Sequence, residues 1–532
     1  MVSPRKLLFA VMFILVAACF SSATNTYFAQ SASGSGNGSN CANATAYGSS
    51  QTGTAGNTLT LCGTFTSPIG LNGSGTSGSP ITLAFDCASN AQISMSAIPV
   101  TGAITITGNY VTIDGKGCGF TDGVHANSGL AFAQIQSTSN GQSGYSNSIG
   151  SQAIVATNIT GTTVQNLSCG PLYLHNAPDP TSFGAPYPVC VNFTGNSTST
   201  TVVNNNYMTD CAWCSWGQGP SVTFSNNVCV NFDHCLGMGN VNTTPTVWGP
   251  VYFYGNSLSH ATTWDTGPTG QYHHDGLHLW AYCSDGGSYC AGTYWNNIYI
   301  YNNHFFGNWG AINTTAQIFF EENIHNAWVF NNWFDCSQSG NECDSAAAYL
   351  QGTNIRSVNN TLVGSGSSQP TALHFMGGPN IVNQNNVIST AQVVTNIALA
   401  DESGANSTSI SALSNNVYMN GKSSPWVWEA NFLTSLPSWE TGSGETKAVY
   451  AANSTVNLPA GTLQAGSPAI GAGANLYTTC NGQPNPGLGA LCRDANGNAR
   501  PATGAWDAGA FSYNTATTTS VAAPTGLVAV VH

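Results

Sequence analysis

The chain has 532 residues, more than one globular core ordinarily serves, and only 5% of them are charged, against about 25% in an average soluble domain. Sixty glycines and an abundance of Ser, Thr and Asn argue against helices, while 13 Trp, 20 Tyr and 22 Phe supply too much apolar surface for disorder. Eight Lys and Arg at a net charge of −13 cannot form the basic stripe that a nucleic acid requires.

In chain order, residues 1–23 read as an export signal. Arg5 and Lys6 form its basic start, Leu7–Ala18 its apolar stretch, and Ser21-Ser22-Ala23 a small-residue cleavage site. That apolar run is too short to span a bilayer, and no other segment could cross one as a helix. A second reading takes Val16-Ala17-Ala18-Cys19 as a lipobox, which would anchor the chain through a lipid on Cys19. After the signal, 16 cysteines and a net charge of −15 remain. An even cysteine count in an exported chain points to disulfides. Cys283 with Cys290, Cys336 with Cys343 and Cys480 with Cys492 each bracket a short loop. Cys41–Cys62 and Cys87–Cys118 are weaker pairings. Cys211, Cys214, Cys229 and Cys235 could hold zinc, but two disulfides suit an exported protein better; the partners of Cys169 and Cys190 stay open.

Residues 24–100 are Gly-, Ser- and Thr-rich and read as opening coils or a cap. Over 101–425 the chain repeats itself. Short β-type runs end in an Asn pair at Asn226-Asn227, Asn302-Asn303, Asn331-Asn332, Asn359-Asn360, Asn385-Asn386 and Asn415-Asn416, with Gly255-Asn256 as a variant. Successive intervals are 29, 47, 29, 28, 26 and 30 residues. A turn residue at a fixed place in a short-strand repeat predicts an all-β, right-handed single-stranded parallel β-helix, a solenoid with loop insertions. Asn tolerates the left-handed turn conformation, and stacked amides can hydrogen-bond from coil to coil. The 47-residue interval marks an inserted loop, 260–297. Residues 426–511 read as a closing segment and 512–532 as a low-complexity tail.

The insertion also marks where chemistry concentrates. Nine of the 13 Trp and seven of the 11 His lie between 210 and 335. In the strand around Tyr272-His273-His274-Asp275-Gly276-Leu277-His278-Leu279-Trp280, Leu277, Leu279 and Ala281 should face in, and His274, His278 and Trp280 out. Four residues along a strand separate His274 from His278 by about 13 Å, too far for one ion, so no metal is expected on this pair. The next such run, Gln317–Asn323, should lie beside it and bring Glu321 or Glu322 next to Asp275. Later coils would add Tyr349 or Gln351, then His374. These residues make a candidate site: Asp275, Glu321, Glu322, His278 and His274 for proton transfer, with Trp280, Trp264, Trp309, Tyr349, Gln351 and His374 binding a glycan, Trp rings stacking on sugar faces. The plainer reading has Asp275 binding turn amides, a Glu filling an ordered cap and the Trp rings packing loops against the coil wall.

The Asn-pair pattern resembles the pectate-lyase-like superfamily of right-handed parallel β-helix proteins over roughly residues 100–420. His274-Asp275-Gly276-Leu277-His278 is similar to the Asn-Thr-Asp-Gly-(Ile/Phe)-Asp strand of polygalacturonase-type glycoside hydrolases, a resemblance that implies a catalytic role for Asp275 alone. Gly466–Ile470, Asp494–Arg500 and Trp506–Phe511 resemble the closing segment of exported bacterial β-helix proteins.

The expectation is a secreted, monomeric, carbohydrate-active protein that hydrolyses a polysaccharide by carboxylate acid/base catalysis and requires no cofactor. The alternatives are a lyase assisted by calcium or by a His or Tyr base, and a non-catalytic glycan-binding surface or adhesion protein. An acidic groove favours neutral glycans over polyuronates.

Overall fold

From Asn205-Asn206 to Asn415-Asn416 the coils are built on paired asparagines, with Gly255-Asn256 as the variant. The computed structural model describes residues 23–115, 118, 133–142, 150–176, 187–194, 200–241, 246–262, 264, 274–282, 292–310, 314–321, 323–336, 346–364, 371–390, 400–402, 406, 408–419, 426–458 and 460–513. In it the first Asn of each pair is left-handed, with φ of 55° at Asn226, 55° at Asn302, 54° at Asn331 and 53° at Asn359, and Gly255 takes the same role at 66°. The chain turns there, which aims the second Asn inward. Its Oδ1 then accepts from the backbone and the amide of the Asn one coil earlier: Asn303 N and Nδ2 donate to Asn332 Oδ1 at 3.2 and 2.9 Å. Asn332 Nδ2 donates in turn to Ile300 O at 2.9 Å and Asn360 Oδ1 at 3.0 Å. This ladder runs from Asn206 through Asn227, Asn256, Asn303, Asn332, Asn360 and Asn386 to Asn416. It ends on the buried carboxylate of Glu445, which accepts from Asn416 Nδ2 and the Tyr418 hydroxyl, both at 2.8 Å, and from the Trp439 indole.

The coils form a parallel β-helix. One sheet of 15 strands runs from Asn25–Ala29 and Thr45–Ala46 to Ile410–Ser414, and a second of 25 strands holds the rest. Nearly every pairing is parallel, as between Val222–Ser225 and Val251–Tyr254 or His274–Tyr282 and Thr314–Phe320. The second sheet is two faces joined at a corner. Tyr207–Gln218 and Val228–Val241 run unbroken through that corner, so each pairs with strands of both faces. Inward positions carry aliphatic and Phe side chains, such as Val251 and Phe253 or Leu277 and Leu279. Identical rings stack coil on coil, Phe305 on Phe334 with centroids 4.7 Å apart.

In the last four pairs the first Asn has a second duty. Beyond the last coils the chain returns along the Asn corner, and Asn331, Asn359, Asn385 and Asn415 each donate an amide hydrogen to its carbonyls, at Arg493, Asp507, Ala474 and Ala472. Arg500 is buried there, donating to Asn331 Oδ1 at 2.9 Å and Gly509 O at 3.0 Å.

Disulfides join Cys41–Cys62, Cys87–Cys118, Cys169–Cys190, Cys229–Cys235 and Cys480–Cys492. Cys336 is disulfide-bonded too; Cys283, Cys290 and Cys343 lie outside the described residues, as do the export signal and Cys19. The expectation of two disulfides among Cys211, Cys214, Cys229 and Cys235 needs correcting. Cys211 and Cys214 are buried thiols with sulfurs 2.9 Å apart. No described helix is long and apolar enough to cross a membrane.

Candidate functional site

The site lies where the two long strands round their corner. Left-handed residues bend them, Asp210 at φ 47° and Asn231 at 52°, and strict in–out alternation fails just beyond. Cys235 and Leu236, adjacent in sequence, both join the core. Asp233 and His234 are thereby left toward the side where Trp213 lies flat on the His234 ring, at 3.9 Å and 12°. Strand register stacks Trp213, His234, Asp275 and Ala316 on successive coils. A parallel row stacks Trp216, Gly237, His278, Phe319, Tyr349 and His374. The pairing slips by a residue between His274 and Asp275, and the Cα of Gly276 lies so close to Gln317 O and the Phe305 ring that a Cβ would collide with both.

Three side chains converge. His234 Nε2 and His278 Nδ1 each lie 3.3 Å from Asp275 Oδ2, and 3.4 Å from one another. Each imidazole is held from behind by a further carboxylate: His234 Nδ1 is 3.0 Å from Asp233 Oδ2, and His278 Nε2 is 2.9 Å from Glu321 Oε2. Asp275 Oδ1 accepts from Ala316 N–H at 3.1 Å. Burial alone pushes the His234 pKa down, but the charges and hydrogen bonds of Asp233 and Asp275 outweigh it and raise the value to about 9. At His278 burial wins, and its pKa is lowered despite Glu321 and Asp275. Asp275 is fully buried, whereas the Glu321 side chain is 44% exposed. The assembly is therefore a chain of imidazoles and carboxylates with its outer end at Glu321.

Aromatic rings wall it. Trp213, Trp216 and Trp280 pack on one another and on Tyr187 and Trp264. Glycines make room for them: the Trp213 ring occupies the space a Cβ on Gly237 would need, and Trp280 that of Gly239.

Several expected positions are corrected. Asp275, His278 and Glu321 do converge, but Asp275 and Glu321 meet opposite nitrogens of one imidazole and not each other across an open groove. His274 does not face out: its Nδ1 lies 2.6 Å from Trp309 O in the buried interior. Trp264 and Trp309 are fully buried and Trp280 is 8% exposed, so Trp264 and Trp309 offer no face to a sugar; the Trp264 indole donates to Asn231 O at 3.0 Å, and Trp309 packs edge-on to Phe232. Tyr349, Gln351 and His374 are half-buried, with Phe319, Tyr349 and His374 continuing the row beside His278 at ring separations of 5.2 and 4.7 Å. Glu322 lies outside the described residues. Asp233 and His234 were not anticipated, because the insertion breaks the constant offset from the Asn pair that would have aligned them with Asp275. Two imidazole nitrogens and one carboxylate oxygen are a poor set for calcium, which takes six to eight oxygens.

No family model matches the sequence, and no curated protein matches it. Among solved structures the chain is similar to a complex of XylC with xylose, at 8% identity over 92% of this chain and 98% of that one, with a TM-score of 0.44. It is also similar to pectate lyase Pel9A, at 14% identity over 92% and 96% of the two chains and a TM-score of 0.29. A rhamnogalacturonan lyase shares 13% identity over 74% of this chain and 87% of its own, with a TM-score of 0.29. The fold itself is read from the strand register above.

Proposed function

We propose that this chain is an exported enzyme that hydrolyses a polysaccharide, with Glu321 as the catalytic residue that meets the glycan. The observation carrying this reading is the exposed end of an otherwise buried carboxylate–imidazole chain, set beside the half-buried row of Trp216, Phe319, Tyr349 and His374. Such rings suit sugar faces, and a carboxyl bonded to an imidazole suits proton transfer. Glu321, accepting from His278 Nε2–H with one carboxyl oxygen and protonated on the other, gives that proton to the glycosidic oxygen as the C–O bond breaks. The water that adds to the anomeric carbon returns a proton to the Glu321–His278 pair. Asp275 is too buried to touch a glycan and acts as a positioning residue, fixing the His278 ring from its other nitrogen, while Asp233 does the same for His234. The acidic groups of the site and the net charge of −13 favour a neutral glycan. The disulfides and the pattern of residues 1–23 support export.

β-Elimination is a second reading, favoured by one observation: the Glu321 carboxylate, 44% exposed and bonded to His278 Nε2, can equally accept a proton from a sugar carbon. The test is incubation of the purified protein with a panel of neutral and acidic polysaccharides. New reducing ends without ultraviolet-absorbing unsaturated ends are the expected result. Unsaturated ends would replace hydrolysis by elimination. Binding without cleavage across the panel would overturn both in favour of a glycan-binding surface protein.

A further inference from the structure

We infer that His234, Asp275 and His278 bind a divalent transition-metal ion of the zinc class, a site that spans two neighbouring coils. Carboxylates accept hydrogen bonds, so Asp233 and Glu321 fix a proton on His234 Nδ1 and on His278 Nε2. The opposite nitrogens, His234 Nε2 and His278 Nδ1, point at one another and at Asp275 Oδ2, and an ion would take their lone pairs by displacing the second proton that Asp233 and Asp275 favour on His234. Three possible ligand atoms thus close a nearly equilateral triangle with edges of 3.3, 3.3 and 3.4 Å. One proton lies along one edge of a triangle, or is split weakly between two. A cation above the centre serves all three.

The dimensions identify the ion's class. Zinc bonds to imidazole nitrogen and carboxylate oxygen are about 2.0–2.1 Å, and tetrahedral geometry then sets ligand atoms about 3.3–3.4 Å apart. An octahedral ion at the same bond length would need edges of about 2.9 Å, and a hard cation would want oxygens in place of the imidazoles. The surroundings are those of a metal centre as well. Each imidazole has its far nitrogen bound to a carboxylate, and the far oxygen of Asp275 is held by Ala316 N–H at 3.1 Å, so every ligand is oriented by an outer partner. All three side chains are at most 7% exposed, and Trp213 covers His234 face-on. Three protein ligands are the complement of zinc sites that keep a fourth position for water. Glu321, on the outer nitrogen of His278, would join this centre to the surface.

The inference does not depend on the glycan reading, because it is tested on the protein itself. The untagged full chain is dialysed against excess zinc, then against metal-free buffer, and its metal content measured. About one equivalent should remain, and His234→Gln, Asp275→Asn and His278→Gln should each lower retention at least tenfold. Cys211→Ser/Cys214→Ser should retain the ion. Cobalt(II) in place of zinc should give the visible absorption of a tetrahedral centre with no thiolate-to-metal charge transfer. Should the ligand variants fail to fold, the cobalt spectrum and a one-site titration of the wild-type protein against a chromophoric chelator decide alone. No retained ion in folded wild-type protein would overturn the site and leave a shared proton in the triangle. Retention by the Asp275→Asn and His278→Gln variants, or thiolate charge transfer, would overturn it equally. Metal without polysaccharide cleavage would sink the proposed function alone; cleavage by folded protein that retains no ion after zinc loading would sink this inference alone.

Discussion

The Asn corner and the His corner of this β-helix use one device to opposite ends. Both stack side chains on successive coils about 4.8 Å apart. Along the Asn corner each residue offers a donor and an acceptor, so every amide satisfies the next, and Asn332 alone joins four hydrogen bonds. The ladder closes on Glu445, a carboxylate that receives only donors. At the His corner the groups at the centre are all possible metal ligands: His234 Nε2, Asp275 Oδ2 and His278 Nδ1 face a common point. Matched groups make a spine; a surplus of one kind makes a site.

Breaking the spine should have the largest effect on stability. Asn332→Ala leaves the N–H of Asn303 and the carbonyl of Ile300 buried without their amide partners. It should cost about 3 kcal/mol, read as a lower urea midpoint at unchanged slope. A loss below about 1 kcal/mol would mean that the ladder is ornament. The aromatic wall of the site should yield next. Gly237→Ala drives a methyl into the Trp213 ring and should cost about 1–3 kcal/mol, with a shift in tryptophan fluorescence as Trp213 leaves His234. The smallest effect is on pH dependence. Burial raises the Glu445 pKa above its ordinary 4.5, so the folded state holds that proton more tightly than the unfolded one. Its contribution is therefore full below pH 4.5 and declines as pH rises through the raised value. Glu445→Gln should remove that slope from a stability–pH profile, whatever it does to the overall level.

The spine was legible in the sequence because its cause is local and repeated. A left-handed Asn followed by an inward Asn needs only two adjacent residues, and the pair recurs coil after coil from Asn205-Asn206 to Asn415-Asn416, with Gly255 as the one substitute. Cys480 and Cys492 were legible for a like reason, since the two are close in the chain. Cys169–Cys190 was not, because 21 residues separate the two on successive strands of one coil, Ser168–Cys169 and Val189–Thr194, with no short loop to announce it. The site was half legible. The density of Asp275, His278 and Glu321 marked it, and coil stacking placed the Glu321 strand correctly. Asp233 and His234 escaped because the insertion before Asp275 destroys the constant spacing, and because the bend at Asn231 breaks the alternation that parity arguments assume. Trp264 and Trp309 were misplaced for a third reason. Both lie outside the strands, where parity says nothing, and they turn inward, Trp264 onto Tyr173 and His175 and Trp309 onto Phe232 and Phe305.

The account's central claim is that Glu321 is the working end of the His corner. The measurement that tests it most directly is product release by Glu321→Gln beside wild-type protein, on whichever polysaccharide of the panel is cleaved. Glu321 is 44% exposed and outside the ladder, so the variant should melt within about 0.5 kcal/mol of wild type. Its rate should fall by about 10²–10⁴-fold, the loss of a general acid. A folded variant that releases reducing ends at the wild-type rate would contradict the claim.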